Sequence, residues 1–144
     1  MVDVLAVETP ALGDRSYLVH DGDRGLVIDP QRDIDRMLAL AGQAGVRITH
    51  VAETHLHNDY VTGGLALARE TGADYLVNGD DPVTFDRTPV ADGDRLDVSD
   101  RMSVQVLATP GHTFSHLAYA VAGGGPVTAV FTGGRRFAAR TSRS

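Results

Sequence analysis

Glu53-Thr54-His55-Leu56-His57-Asn58-Asp59-Tyr60 is the stretch of sequence that decides both the fold and the chemistry of this chain. Within it His55, His57 and Asp59 recur at every second position. In an α-helix a step of two residues turns the side chain by about 200°, so His57 would face away from the other two. In an extended segment all three point to one side, and three convergent side chains of this kind are typical of a metal site. The alternative is a polar loop with two incidental histidines.

A second motif, Thr109-Pro110-Gly111-His112-Thr113, also comes after a predicted apolar strand. It follows the apolar run Val104 to Leu107, just as the first motif follows the apolar run Ile48 to Ala52. Proline and glycine favour a tight turn that brings an imidazole close to a bound ion. By itself His112 would be interpreted as a surface residue. Beside the first motif it is the expected third nitrogen ligand.

The other histidines are weaker candidates. His116 lies four residues after His112, near the start of a predicted strand, and we expect it at the surface or beside the ligands. His20 and His50 lie in strand patterns and are expected to be ordinary strand residues.

The hydrophobic pattern predicts an α/β protein in which strands alternate with two helices. One helix runs from Ile34 to Ala44 and is capped by Gly45, and the other runs from about Gly63 to Thr71 and is stopped at Gly72, with Thr62 as N-cap. The predicted strands are Val2–Val7, Ser16–His20, Leu26–Ile28, Ile48–Ala52, Tyr75–Val77, Val104–Leu107, Ala118–Val121 and Val127–Phe131. The nearly continuous apolar strands indicate a sheet that is buried on both faces.

Composition narrows the possible partners. There is no cysteine, so a metal has to bind to histidine and carboxylate, and the chain fits the cytoplasm. The net charge of −6 disfavours nucleic acid as a partner. We expect no membrane span and no signal peptide, because apolar runs are short and Met1 to Val7 has no basic region.

The two motifs together resemble the metallo-β-lactamase superfamily, from about residue 3 to residue 134. The segments Leu12 to Tyr17, Ile28 to Asp35 and Thr54 to Gly64 are similar to the persulfide dioxygenase-like branch, which is often fused to rhodanese domains and is related to glyoxalase II. The resemblance implies an αββα sandwich, of which this chain would be the N-terminal part. It also implies that His55, His57 and His112 surround one metal and that Asp59 points to a second position.

This resemblance implies an enzyme that acts on glutathione thioesters or persulfides, as a hydrolase or a sulfur dioxygenase. The expected cofactor is one divalent metal, Zn(II) or Fe(II), with Zn(II) bound more tightly. Zn(II) lowers the pKa of a bound water to about 7, and Asp59 is the expected catalytic residue that orients or deprotonates that water. The expected partner is a small glutathione conjugate.

Two departures from the family pattern affect the second metal position. Tyr60 occupies a position where many members have histidine, and Gly134 one where many have a bridging aspartate. Fe(II) in the dioxygenase pattern uses the residues matching His55 and His112 together with that aspartate, so Asp59 would have to replace it.

The alternative function is a non-catalytic, truncated half-domain that binds metal. We expect a domain over residues 1–134 and an aberrant or disordered Arg-rich tail over 135–144, because four of the 13 basic residues lie there. If the second half of the fold supplies the partner sheet, the sheet formed by Val104–Leu107, Ala118–Val121 and Val127–Phe131 is left uncovered. Self-association through that face and negligible turnover are then expected.

Overall fold

The computed structural model describes residues 3–9, 14–30, 34–53, 63–78, 88–109, 116–123, 127–132 and 135–138. Two helices lie among them, α1 (Ile34–Ala44) and α2 (Gly63–Thr71). The strands in chain order are β1 (Asp3–Thr9), β2 (Asp14–His20), β3 (Arg24–Ile28), β4 (Arg47–Ala52), β5 (Asp74–Asn78), β6 (Thr88–Val90), β7 (Arg95–Ser99), β8 (Met102–Thr109), β9 (His116–Ala122), β10 (Val127–Thr132) and β11 (Arg135–Ala138).

The strands form two sheets. In the mixed sheet the order is β1-β2-β3-β4-β5-β6, with β1 to β3 antiparallel and β3 to β6 parallel. Helix α1 connects β3 to β4 and helix α2 connects β4 to β5, as parallel neighbours require. In the antiparallel sheet the order is β11-β10-β9-β8-β7. The α/β class is therefore confirmed, with the parallel strands and helices concentrated in one sheet.

Two apolar cores hold these layers together. Between the sheets, large side chains from both inner faces are buried against each other: Tyr17, Leu26, Ile28 and Leu76 from the mixed sheet, and Val104, Val106, Leu117, Tyr119 and Phe131 from the antiparallel sheet. On the other face of the mixed sheet, Met37 and Ala41 of α1 and Leu67 and Ala68 of α2 pack on Leu18, Val27, Ile48, Val51, Tyr75 and Val77. The described residues thus form a helix layer, the mixed sheet and the antiparallel sheet, in that order.

This packing corrects one expectation. The inner face of β8, β9 and β10 was expected to lack its partner sheet, but the mixed sheet covers it: Val104, Tyr119 and Phe131 are almost fully buried. The error arose because β2, β3 and β5 were not recognised as the partner layer. Their alternate residues face the antiparallel sheet while the others face the helices. The face on which the expected self-association relied is therefore buried inside the sandwich.

The predicted helices and strands are confirmed, with ends shifted by one or two residues. Gly45 and Gly72, predicted at the two helix ends, have φ values of 69° and 72°, which glycine adopts without steric cost. Thr62, the predicted N-cap of α2, lies outside the described residues. Among the described helices, neither is long and apolar enough to cross a membrane.

Strands β6, β7 and β11 were not predicted. Strand β11 pairs with β10 through Thr132 and Arg135, so the antiparallel sheet continues into the stretch assigned to the tail. Residues 139–144 lie outside the described residues.

Asp21 joins the two sheets at the end of the sandwich where β2 turns into β3. Its Oδ1 accepts hydrogen bonds from the backbone N–H groups of Asp23 and Arg24, both at 2.9 Å, and its Oδ2 accepts one from the Ser99 hydroxyl at the end of β7. Burial raises the pKa of this carboxyl. The hydrogen bonds from Ser99, Arg24 and Asp23 and the charge of Arg101 outweigh burial, and together they lower the pKa to about 2.

Because the pKa of Asp21 is lower in the folded state than its ordinary value of 3.8, its ionised form stabilises the fold above about pH 4. That stabilisation is lost as the pH falls through the folded-state pKa of about 2. We expect Asp21→Asn to lower the free energy of unfolding at neutral pH, and the difference from wild type to shrink below about pH 4. Denaturant unfolding at a series of pH values measures this.

The matched control for this comparison is Asp97→Asn, since Asp97 is an exposed carboxylate on β7. Its effect should stay within about 0.5 kcal/mol. If Asp21→Asn lowers the free energy of unfolding by the same amount at every pH, the ionised carboxylate of Asp21 is not what stabilises the fold.

Candidate metal centre

The carboxyl ends of the parallel strands lie side by side at one edge of the mixed sheet. The backbone N–H of Asp29, just after β3, donates to the carbonyl of Ala52 at 2.9 Å. The N–H of Glu53, just after β4, donates to the carbonyl of Leu76 in β5 at 3.1 Å. The chain therefore leaves β4 toward His55 from the middle of this edge, where ligands commonly bind in parallel sheets.

In the antiparallel sheet three strand ends share the corresponding edge. Strand β8 ends at Thr109, which pairs with His116, the first residue of β9. Strand β10 ends at Thr132, which pairs with Ala118 of β9. The connections that carry His112 and Gly134 thus start from neighbouring positions.

A hydrogen bond joins these two edges. The Tyr119 hydroxyl in β9 donates to the Glu53 carbonyl at 2.7 Å, and both residues are buried. Tyr119 pairs with Val106 of β8 and with Phe131 of β10, so it lies close to the ends of both strands. We call the end of the sandwich marked by Glu53, Thr109, His116 and Thr132 the site edge. Both predicted ligand-bearing connections begin there.

Glu53 is itself held by a second tyrosine. The Tyr75 hydroxyl in β5 donates to Glu53 Oε2 at 2.6 Å. The side chain of Glu53 is buried, and a buried carboxylate is costly unless hydrogen bonds satisfy it. Glu53, two residues before the first histidine of the His-x-His-x-Asp motif, is thus fixed through its N–H, its carbonyl and its carboxylate.

Asp29 has an uncommon backbone conformation at the same edge. The φ angle of Asp29 is 50°, in the left-handed region that residues other than glycine seldom adopt. Asp29 directly precedes Pro30. The Ser16 hydroxyl donates to the Asp29 carbonyl at 2.6 Å and stabilises this turn. Backbone strain of this kind is concentrated at functional sites, which agrees with the position of the site edge.

The predicted ligands themselves, His55, His57, Asp59 and His112, lie outside the described residues, as do Tyr60 and Gly134. Their assignment therefore stays a prediction. Within the part of the chain that the structure describes, no three His, Cys, Asp or Glu side chains are grouped to hold a metal.

The remaining histidines are strand residues. His20 ends β2, is buried, and accepts a hydrogen bond at Nδ1 from the N–H of Gly22 at 3.0 Å. His50 lies within β4, as predicted, and His116 begins β9. Burial lowers the pKa of His50, and the Asp74 carboxylate, 3.8 Å from Nε2, opposes that shift only in part. Burial therefore favours the uncharged form of His50.

Sequence reasoning missed the roles of Glu53 and Tyr119. A carboxylate at the end of the apolar run Ile48 to Ala52 was a visible signal that Glu53 is buried and partnered. Tyr119, by contrast, is one of several apolar residues in β9, and nothing in the sequence connects it to Glu53.

Comparison with known proteins agrees with this architecture. The family model described as the Metallo-beta-lactamase superfamily matches residues 12–133. The hydroxyacylglutathione hydrolase of Methylobacillus flagellatus is 34% identical over 104 residues, which is 72% of this chain and 41% of the relative. That of Rhizobium johnstonii is 36% identical over 123 residues, 82% of this chain and 46% of the relative. The chain spans less than half the length of these curated relatives.

Solved structures show the same fold. A metallo-beta-lactamase from Staphylococcus aureus superposes with a TM-score of 0.79 at 27% identity, covering 91% of this chain and 42% of that one. ETHE1 from Myxococcus xanthus superposes with a TM-score of 0.73 at 28% identity, covering 83% of this chain and 53% of that one. Since the family model covers most of the chain, and the two sheets have the fold of these structures, the chain belongs to the metallo-β-lactamase superfamily.

Proposed function

We propose that this chain carries the metal centre of a hydrolase that acts on glutathione thioesters. The observation that supports it best is the hydrogen bond from Tyr119 to the Glu53 carbonyl. It joins Glu53, after which the connection containing His55, His57 and Asp59 begins, to β9, whose first residue follows the connection containing His112. The hydroxyacylglutathione hydrolases among the relatives supply the substrate class.

The donor set fits a zinc ion. Three imidazoles, in a chain without cysteine, suit Zn(II), and catalytic zinc sites commonly combine three protein ligands with one open position. When bound, Zn(II) supplies a Lewis acid that polarises a carbonyl and acidifies water. Asp59 would hold the attacking water and accept its proton. In the reaction, the thioester C–S bond breaks, a C–O bond forms and the thiolate leaves as glutathione.

A second candidate is oxidation of a glutathione persulfide with Fe(II) and O₂. It is favoured by the similarity of the sequence motifs to the persulfide dioxygenase branch and by the structural similarity to ETHE1. Fe(II) sites of this kind use two histidines and one carboxylate. Gly134 stands where the family aspartate is expected. The Fe(II) ligands would therefore have to be His55, His112 and Asp59.

A third candidate is a non-catalytic module that binds metal without turnover. The observation behind it is the pair of departures from the family pattern, Tyr60 and Gly134, at the second metal position.

Activity assays of the metal-loaded chain distinguish the three candidates. With Zn(II) loaded, we expect release of free glutathione from a glutathione thioester, because the predicted ligands favour zinc chemistry. A parallel assay measures O₂ consumption by the Fe(II)-loaded chain with glutathione persulfide. O₂ consumption without thioester hydrolysis would replace the first proposal with the second. Retention of Zn(II) with neither activity would support the non-catalytic module.

Metal retention in two histidine variants tests the ligand assignment. The wild-type chain is expected to retain one equivalent of Zn(II). His112→Ala should lose it, since it removes one of three nitrogen ligands, whereas His116→Ala should retain it. Elemental analysis after anaerobic purification, followed by metal titration, measures both. Equal losses in the two variants, or two equivalents in the wild type, would show that the site is assigned wrongly.

A further inference from the structure

Glu53 is the residue at which the two sheets and the predicted metal-binding segment meet. It follows β4 directly and lies two positions before His55. Only 5% of it is exposed, and the Tyr119 side chain is fully buried. Tyr75 reaches it from the neighbouring strand of the mixed sheet, and Tyr119 reaches it across the inter-sheet core. We call these three residues the tyrosine–glutamate clamp.

The two tyrosines hold different parts of Glu53. Tyr75 donates to the carboxylate at 2.6 Å and therefore fixes the side chain. Tyr119 donates to the main-chain carbonyl at 2.7 Å and therefore fixes the plane of the peptide unit through which the chain continues toward His55. With the bond from the Glu53 N–H to Leu76, the backbone is held on both sides of this residue.

Packing alone does not require the Tyr119 hydroxyl. The ring of Tyr119 is surrounded by apolar residues of the inter-sheet core, where phenylalanine would bury almost the same apolar surface. The buried hydroxyl donates a hydrogen bond to the Glu53 carbonyl, which offsets the cost of burying it. The net stabilisation from such a bond is modest, about 1 kcal/mol, so its main effect is geometric.

The same hydrogen bond also sets where the second motif starts. Tyr119 lies three residues after His116, and the His116 backbone pairs with Thr109 at the end of β8. Residues 110–115, which include His112, connect these two positions. The clamp therefore fixes the starting points of both connections that carry predicted ligands.

We propose that Glu53, Tyr75 and Tyr119 are positioning residues that set the distance between the His55-His57-Asp59 segment and His112 for binding one divalent metal. The proposal rests on the metal site of the proposed function and adds to it the element that preorganises that site. Groups that orient metal ligands typically contribute 10-fold to 100-fold to metal affinity.

The test is Zn(II) affinity, measured by competition with a chromogenic chelator, in the full chain and in Tyr119→Phe and Tyr75→Phe. We expect each variant to bind Zn(II) about 10-fold or more weakly, following the usual effect of removing such a partner. Tyr119→Phe should have the larger effect because its acceptor is the main-chain carbonyl. The free energy of unfolding of each metal-free variant is measured in parallel.

Ser99→Ala is the matched control. It removes the hydrogen bond that joins the sheets through Asp21 at the opposite end of the sandwich. It should reduce stability as much as Tyr119→Phe does while changing Zn(II) affinity less than about 2-fold. If Ser99→Ala weakens Zn(II) binding as strongly as Tyr119→Phe, the clamp is only structural and the proposal is overturned.

Zn(II) binding by the wild-type chain and by the two tyrosine variants separates a failure of the metal site from a failure of the clamp. If the wild-type chain binds no Zn(II), the proposed metal site fails and the clamp proposal fails with it. If the wild type binds Zn(II) and both tyrosine variants bind it equally well, only the clamp proposal fails. Tyr75→Phe keeps the test decisive should Tyr119→Phe not fold.

Discussion

The hydrogen bond from Tyr119 to the Glu53 carbonyl links the two sheets at the edge where the predicted ligand segments begin. The mixed sheet contributes the end of β4, and the antiparallel sheet contributes the end of β8 and the start of β9. Without a fixed relation between these strand ends, His55 and His112 would belong to two independent loops. A metal ion needs its ligands within about 2 Å of one point, so the proposed metal site depends on that relation.

The rest of the sandwich keeps this relation in place. The apolar inter-sheet core, with Leu26 and Ile28 on one side and Val106 and Phe131 on the other, prevents the sheets from sliding. At the opposite end, Asp21 accepts a hydrogen bond from Ser99 and joins the sheets again. The hydrogen bonds of Tyr119 and Asp21 at the two ends and the apolar core between them hold the two sheets in a defined relation. The helices α1 and α2 cover only the mixed sheet, on the face away from this core.

Much of this fold could be predicted from the sequence, and the failures have a common cause. The periodic apolar pattern is sufficient to predict both helices and the buried strands, such as β3 and β9. The three strands that were missed, β6, β7 and β11, are all at sheet edges. Edge strands are short and carry proline or charged residues, so they lack the pattern that burial imposes. Pro89 in β6 and Arg135 in β11 are examples.

The sequence predicts the ligand residues, which stay a prediction, but it does not predict the contacts that hold the start of their segment. Alternation within Glu53 to Tyr60 predicts metal ligands because their side chains need to converge. The contact between Glu53 and Tyr119 joins residues 66 positions apart, and no local pattern encodes it. For the same reason the sequence did not show that β2, β3 and β5 form the partner layer of the antiparallel sheet, which only the tertiary packing reveals.

On this proposal, the segments after β4 and β8 supply ligands to a single metal ion. X-ray absorption spectroscopy of the Zn(II)-loaded chain at the zinc edge tests it most directly, since the scattering from imidazole rings can be counted. We expect three imidazoles per zinc at about 2.0–2.1 Å, with oxygen completing a four-coordinate site. A spectrum with two imidazoles or fewer per zinc would contradict it, because His55, His57 and His112 would then not share one ion.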